Sequence, residues 1–137
     1  MNYLYIRLKL FSLWLFVMLN IVFRDIHQLT MKSHLEMLLT GFYNGVEITD
    51  EIMLFGAFLV NIAISMLLVT IILERKINRL LNIIAAIVFS SSFFLSPPTD
   101  MDDLFHFTVQ MIAIVAIILT SFKWQEFSLN PKNAAQV

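Results

Sequence analysis

Apolar residues run almost unbroken through four stretches of this sequence, about Leu8 to Leu29, Ile52 to Leu73, Leu80 to Ser96 and Leu104 to Phe122, with polar and charged residues gathered between them. A hydrocarbon slab ~30 Å thick needs about 20 such residues in a helix rising ~1.5 Å per residue, so the pattern predicts four membrane-crossing helices. The runs are continuous rather than alternating and too few to close a barrel, which argues against strands. The third run is the shortest and stops at Pro97 and Pro98. Arg7 and Lys9 ahead of the first run give it the look of a secretory leader. It passes into Asn20, Arg24, Asp25, His27 and Gln28 instead of a small-residue cleavage site, so it reads as a retained first helix.

The connections refine this picture. The segment from Thr30 to Glu51 is the longest, and within it residues about 34–39 suit a short amphipathic helix at the outer interface. Gly41 and Gly45 supply turn chemistry, and Thr49, Asp50 and Glu51 suit the capped, acidic start of a helix. Residues 128–137 read as a polar tail. No internal repeat is visible, and the whole of 1–137 reads as a single transmembrane domain.

Composition agrees with a lipid solvent. Hydrophobic residues make up 59% of the chain and charged residues 14%, against about 45–50% and about 25% in soluble domains. The absence of cysteine excludes disulfides, thiolate metal sites and thiol redox chemistry. The net charge of −1 gives no reason to expect nucleic acid as a partner. Its distribution matters more: Arg7, Lys9, Arg75, Lys76, Arg79, Lys123 and Lys132, seven of the nine basic residues, fall on one side of the expected spans. Cytoplasmic flanks retain positive charge during insertion. The sequence therefore predicts an all-α fold, an antiparallel four-helix membrane bundle with both termini in the cytoplasm.

Hydrogen-bonding groups inside the spans are the pointers to function, because they are costly in hydrocarbon. Asn20, Arg24 and His27 recur at i, i+4 and i+7 on one face of the first helix, with Asp25 about 100° away. Asn61 and Ser65 stack on the second, Asn61 lying ~14 Å deep, and His106 and Gln110 stack on the fourth. Two readings follow: hydrogen bonding between helices as packing, or a polar cavity open to the outer side that receives a small polar ligand, lined by Asn20, Arg24, His27, Asn61, Ser65, His106 and Gln110. His27, His34 and His106 with Asp25, Glu51, Asp102 and Asp103 offer imidazole and carboxylate ligands, yet no HxxxH or HxxE spacing is present, so no metal and no cofactor is assigned. No catalytic group is assigned either. Ser90, Ser91 and Ser92 lack a neighbouring base, and there is no glycine-rich phosphate loop.

Several short motifs carry a resemblance. Leu13-Trp14-Leu15-Phe16-Val17-Met18-Leu19-Asn20 followed by Asp25, Ile48-Thr49, Asn78-Arg79 with Asn82-Ile83-Ile84-Ala85, and Trp124 resemble an uncharacterised bacterial family of small four-span membrane proteins. More distantly the architecture is similar to DoxX-like four-span proteins, some of which accompany oxidoreductases, which is an analogy of fold. Members of the closer family tend to carry Glu in the second and fourth spans, where this chain has Asn61 and Gln110, and that departure weakens a charge-based function. The resemblance implies a bacterial inner membrane. The function expected first is a non-catalytic binding or accessory subunit, with lipid, a protein partner or a second copy of the chain around it. An oligomeric transporter or channel for a small polar solute comes next, and a membrane enzyme or oxidoreductase partner acting on lipid or quinone third.

Overall fold

A computed structural model describes residues 3–43, 45–94, 98 and 100–124. The polar tail expected over 128–137, and Ser96 and Pro97 at the end of the third apolar run, lie outside them. The chain forms helix α1 (Tyr3–Thr30), a short α2 (Lys32–Leu39), a two-stranded ribbon of β1 (Phe42–Tyr43) and β2 (Val46–Glu47), α3 (Asp50–Ile72), α4 (Arg75–Ser91) running into a 3-10 turn (Ser92–Phe94), and α5 (Met101–Lys123).

The expected bundle of four spans is corrected here. Among the described residues there are five α-helices, and three of them, α1, α3 and α5, are long and apolar enough to cross a membrane. Two local causes account for the difference. The outer segment extends to a full eight-residue helix, α2. The third apolar run does not give a full-length span, because α4 is 17 residues long and opens with Arg75 and Lys76. At its far end Ser90, Ser91 and Ser92 each donate to the carbonyl three residues back, on Ile87, Val88 and Phe89. Such bonds compete with the helical ladder, and the α-helix gives way to the 3-10 turn at that point.

Around the core, α1 packs on α3 and α5, and α4 closes against α3 and α5. Ile6, Leu10, Trp14 and Val17 form the buried stripe of α1, spaced so that one helical face looks inward. Ala85 and Ala86 on α4 and Ala113 on α5 keep the backbones close. Outward-facing Leu, Ile and Phe side chains cover the long helices, as expected where lipid rather than water is the solvent.

The bundle has two chemically different ends. At the basic end the rings of Tyr3 and Trp124 lie 5.3 Å apart, so the two ends of the described chain meet there. Only Leu73 and Glu74 separate α3 from α4, which leaves the last carbonyls of α3 in need of donors. Asn78 Nδ2 donates to the carbonyls of Thr70 (2.9 Å) and Val69 (3.1 Å), and Arg7 donates to those of Ile71 and Leu73. Asn82 Nδ2 donates to Asn78 Oδ1 (2.7 Å) and its own Oδ1 accepts from the Trp14 indole (2.7 Å), tying α1 to α4 through the core.

At the acidic end, Thr49 caps α3 and Asp100 caps α5, its carboxylate accepting from the Asp103 amide at 2.7 Å. Asp102 and Asp103 follow in the first turn of α5, where the helix dipole favours negative charge. Gly41 and Gly45 hold φ of +78° and +80°, a region that suits glycine, and these turns set the ribbon beside α2.

Candidate functional site

The polar residues of the acidic end come from α1 and α5, which face each other there. Asp103 is almost wholly buried and accepts from Arg24 Nε (2.7 Å) and Gln28 Nε2 (2.7 Å). A buried carboxylate is tolerable only when paired and hydrogen-bonded, and these two α1 residues one turn apart provide both. One turn deeper, Asn20 Oδ1 accepts from Gln110 Nε2 (3.2 Å) and lies 2.8 Å from His106 Nδ1. Toward the surface, Asp102 stands between two imidazoles, 3.4 Å from His27 Nδ1 and 3.7 Å from His106 Nε2. The two rings meet edge to face at 6.3 Å, and one ligand atom from each of His27, Asp102 and His106 falls within 4.8 Å of the others.

Beside this cluster a cavity of about 700 Å3 opens between the helices under the ribbon. Its walls are largely apolar, with Phe55, Phe89 and Phe93 among them, while Arg24, Asp25 and Gln110 put polar atoms on one side. Tyr43 of β1 also lines it. Burial pushes the Tyr43 phenol above its ordinary value, outweighing the opposite pull of the Arg24 guanidinium. Gly56 of α3 faces the same space, and a Cβ built there meets nothing within 4 Å.

Of the residues singled out from the sequence, Asn20, His106 and Gln110 are joined by hydrogen bonds, and Arg24 and His27 stand next to them on α1. Asp25 is on the cavity wall; the partner of Arg24 is Asp103. Asn61 and Ser65 are not part of the cluster. They are exposed on α3, whose inward residues are Ala63, Met66 and Thr70. Sequence reasoning named Asp102 and Asp103 only beside the histidines, as carboxylates of a metal set it did not assign, and left both out of the polar cluster, so the burial and pairing of Asp103 were missed. The Asp102–His106 spacing of i, i+4 was the available signal, since it places both side chains on one helix face. Asn78 and Asn82 carried part of the family resemblance, and their work is to close the basic end.

The family model of DUF6326, a family of unknown function, matches residues 3–130, and the chain belongs to that family. No curated protein and no solved structure matches it. It is thus a small multi-pass helical membrane protein of an uncharacterised family, with several candidate membrane helices, buried polar residues and a His/Asp cluster.

Proposed function

We propose that this member of the DUF6326 family assembles as an oligomer and binds and passes a small polar solute, with its acidic end facing away from the cytoplasm of a bacterial inner membrane. The observation that carries this reading is the cavity of about 700 Å3 with Arg24, Asp25 and Gln110 on an otherwise largely apolar wall. Ligand sites commonly measure roughly 300–1,000 Å3 and combine apolar lining with a few fixed polar groups. Such a cavity lets one chain hold a solute by itself, which favours transport over a purely accessory role. The orientation rests on Arg7, Lys9, Arg75, Lys76, Arg79 and Lys123, which favour retention of the opposite end, and both termini with it, in the cytoplasm.

Oligomerisation has its own support. Asn61 and Ser65 sit one turn apart on the outward face of α3, within a helix apolar enough to span the membrane. A carboxamide facing lipid lacks partners, and packing against the same face of a second copy supplies them. The native chain has no cysteine, so Asn61→Cys and Ser65→Cys variants can be cross-linked in membranes without background; the reading expects dimers at these positions, and none at Leu119→Cys on the outer face of α5.

The function itself is tested in proteoliposomes. Uptake of a panel of small amines, amino acids and sugars should exceed that of empty vesicles for at least one class, and Gly56→Phe, which fills the cavity, should abolish it. A panel in which nothing moves faster than through empty vesicles, or uptake that Gly56→Phe leaves unchanged, would remove the cavity from the mechanism.

A further inference from the structure

The hydrogen bonds around Asn20 fix which atoms of His106 are free. Asn20 Oδ1 accepts a hydrogen bond from Gln110 Nε2 and stands 2.8 Å from His106 Nδ1. A carboxamide oxygen can only accept, and Nδ1 must therefore carry the proton of that contact. In a neutral imidazole this leaves a lone pair on Nε2. That lone pair faces Asp102 Oδ1 at 3.7 Å, too far for a direct hydrogen bond and with an acceptor at the other side. His27 Nδ1 approaches the same carboxylate at 3.4 Å from α1. An acceptor nitrogen and a carboxylate held face to face repel one another unless something positive lies between them.

Three further features bear on what that is. Asp102 and His106 project from one face of α5 at i, i+4, a spacing by which a helix presents two ligands to one ion. The three ligand atoms, within 4.8 Å of one another, need to close to roughly 3.3 Å to surround an ion with bonds of ~2.0–2.2 Å. The side chain of His27, 65% exposed, is free to make that movement, while His106 at 12% is held. Finally Arg24, one turn from His27 on α1, is matched by Asp103 at 2.7 Å, and Asp100, Asp102 and Asp103 crowd the start of α5, so the end as a whole attracts positive charge.

We infer that His27, Asp102 and His106 bind a divalent transition-metal cation of the Zn(II) class, with the Asn20–Gln110 pair orienting the His106 ring from behind. Two imidazoles and one carboxylate are a borderline nitrogen and oxygen set that leaves a fourth position open to water. A ring whose second nitrogen is held by a hydrogen bond is the usual support for such a ligand. Asn20 is a positioning residue, since it touches the ring and not the ion. The site does not rest on the solute reading: it lies beside the cavity, and Gly56→Phe should leave it intact.

The test uses the full chain in detergent, purified without a histidine tag and stripped with a chelator. Titration with Zn(II) should saturate at about one ion per chain, and Co(II) should give the strong visible absorption of a four-coordinate site. Mg(II) and Ca(II), which prefer all-oxygen shells, should not compete. Asp102→Asn and His106→Gln should each abolish saturable binding. His27→Gln, on an exposed side chain that folding does not depend on, should do the same in a protein that remains folded. Asn20→Leu should weaken Zn(II) by roughly 10–100-fold and shift the Co(II) spectrum, and Asn20→Asp, which keeps an acceptor oxygen at that place, should restore both. Absence of saturable binding in the wild type, or binding at the wild-type level in His27→Gln and Asp102→Asn, would overturn the site.

Discussion

At the basic end of the bundle three buried neutral side chains form a chain of hydrogen bonds: the Trp14 indole donates to Asn82, Asn82 to Asn78, and Asn78 to carbonyls in the last turn of α3. At the acidic end a buried carboxylate, Asp103, is held by Arg24 and Gln28, the more exposed Asp102 carboxylate stands next to it, and a cavity of about 700 Å3 borders them. Both ends solve the same problem, polar atoms away from water, with different consequences. Neutral donors and acceptors that satisfy one another make a joint. Charges shared among more acceptors than donors, next to open space, make a place where something else can bind.

The contrast can be broken most forcefully at Arg24. Arg24→Met strands the Asp103 carboxylate in the interior, and unfolding of the detergent-solubilised protein should reveal a loss of about 3–5 kcal/mol. Adding Asp103→Leu should recover much of it, because the charge left alone is what is costly. Less is at stake in the neutral circuit: Asn82→Leu leaves the Trp14 indole unpaired at a fully buried position, for an expected loss of about 1–3 kcal/mol in the same assay. If Asn82→Leu proves costlier than Arg24→Met, the assignment of charge to one end and neutral bonding to the other loses its energetic meaning.

Smaller effects sharpen the comparison. Gly56→Ala adds a Cβ that meets nothing within 4 Å, so it should raise stability by about 0.5–1 kcal/mol through helix propensity alone. A destabilising result would mean that the space at Gly56 is filled. Asp102→Asn should move the stability of the metal-free protein by no more than about 0.5 kcal/mol, since the side chain is on the surface and ends no buried pair. A large loss there would make Asp102 part of the joint rather than part of a site.

Much of the architecture could be read from hydropathy because a bilayer demands long apolar runs, and α1, α3 and α5 each contain one. The error over α4 has a local cause that hydropathy does not register: three successive serines bond back to their own helix and end it early. Periodicity also shows which residues share a face without showing which way that face looks. It grouped Asn61 with Ser65, as α3 does, yet α3 turns both outward. The pairing of Arg24 with Asp103 crosses 79 positions of sequence, beyond the reach of any local pattern. Asn20, His106 and Gln110 could be picked out because each is a polar residue in an apolar run, and it takes the helix packing to bring them to one oxygen.

The central claim is that the acidic end opens to water while the basic end is sealed, and cysteine labelling tests it most directly in a chain that has no cysteine of its own. Gly56→Cys on the cavity wall and Ser121→Cys, buried in the last turn of α5 at the basic end, can be exposed in turn to a membrane-impermeant, water-borne maleimide applied from both sides. The account predicts rapid labelling of Gly56→Cys and none of Ser121→Cys in the folded protein. Failure to label Gly56→Cys, or equal labelling of the two, would contradict it.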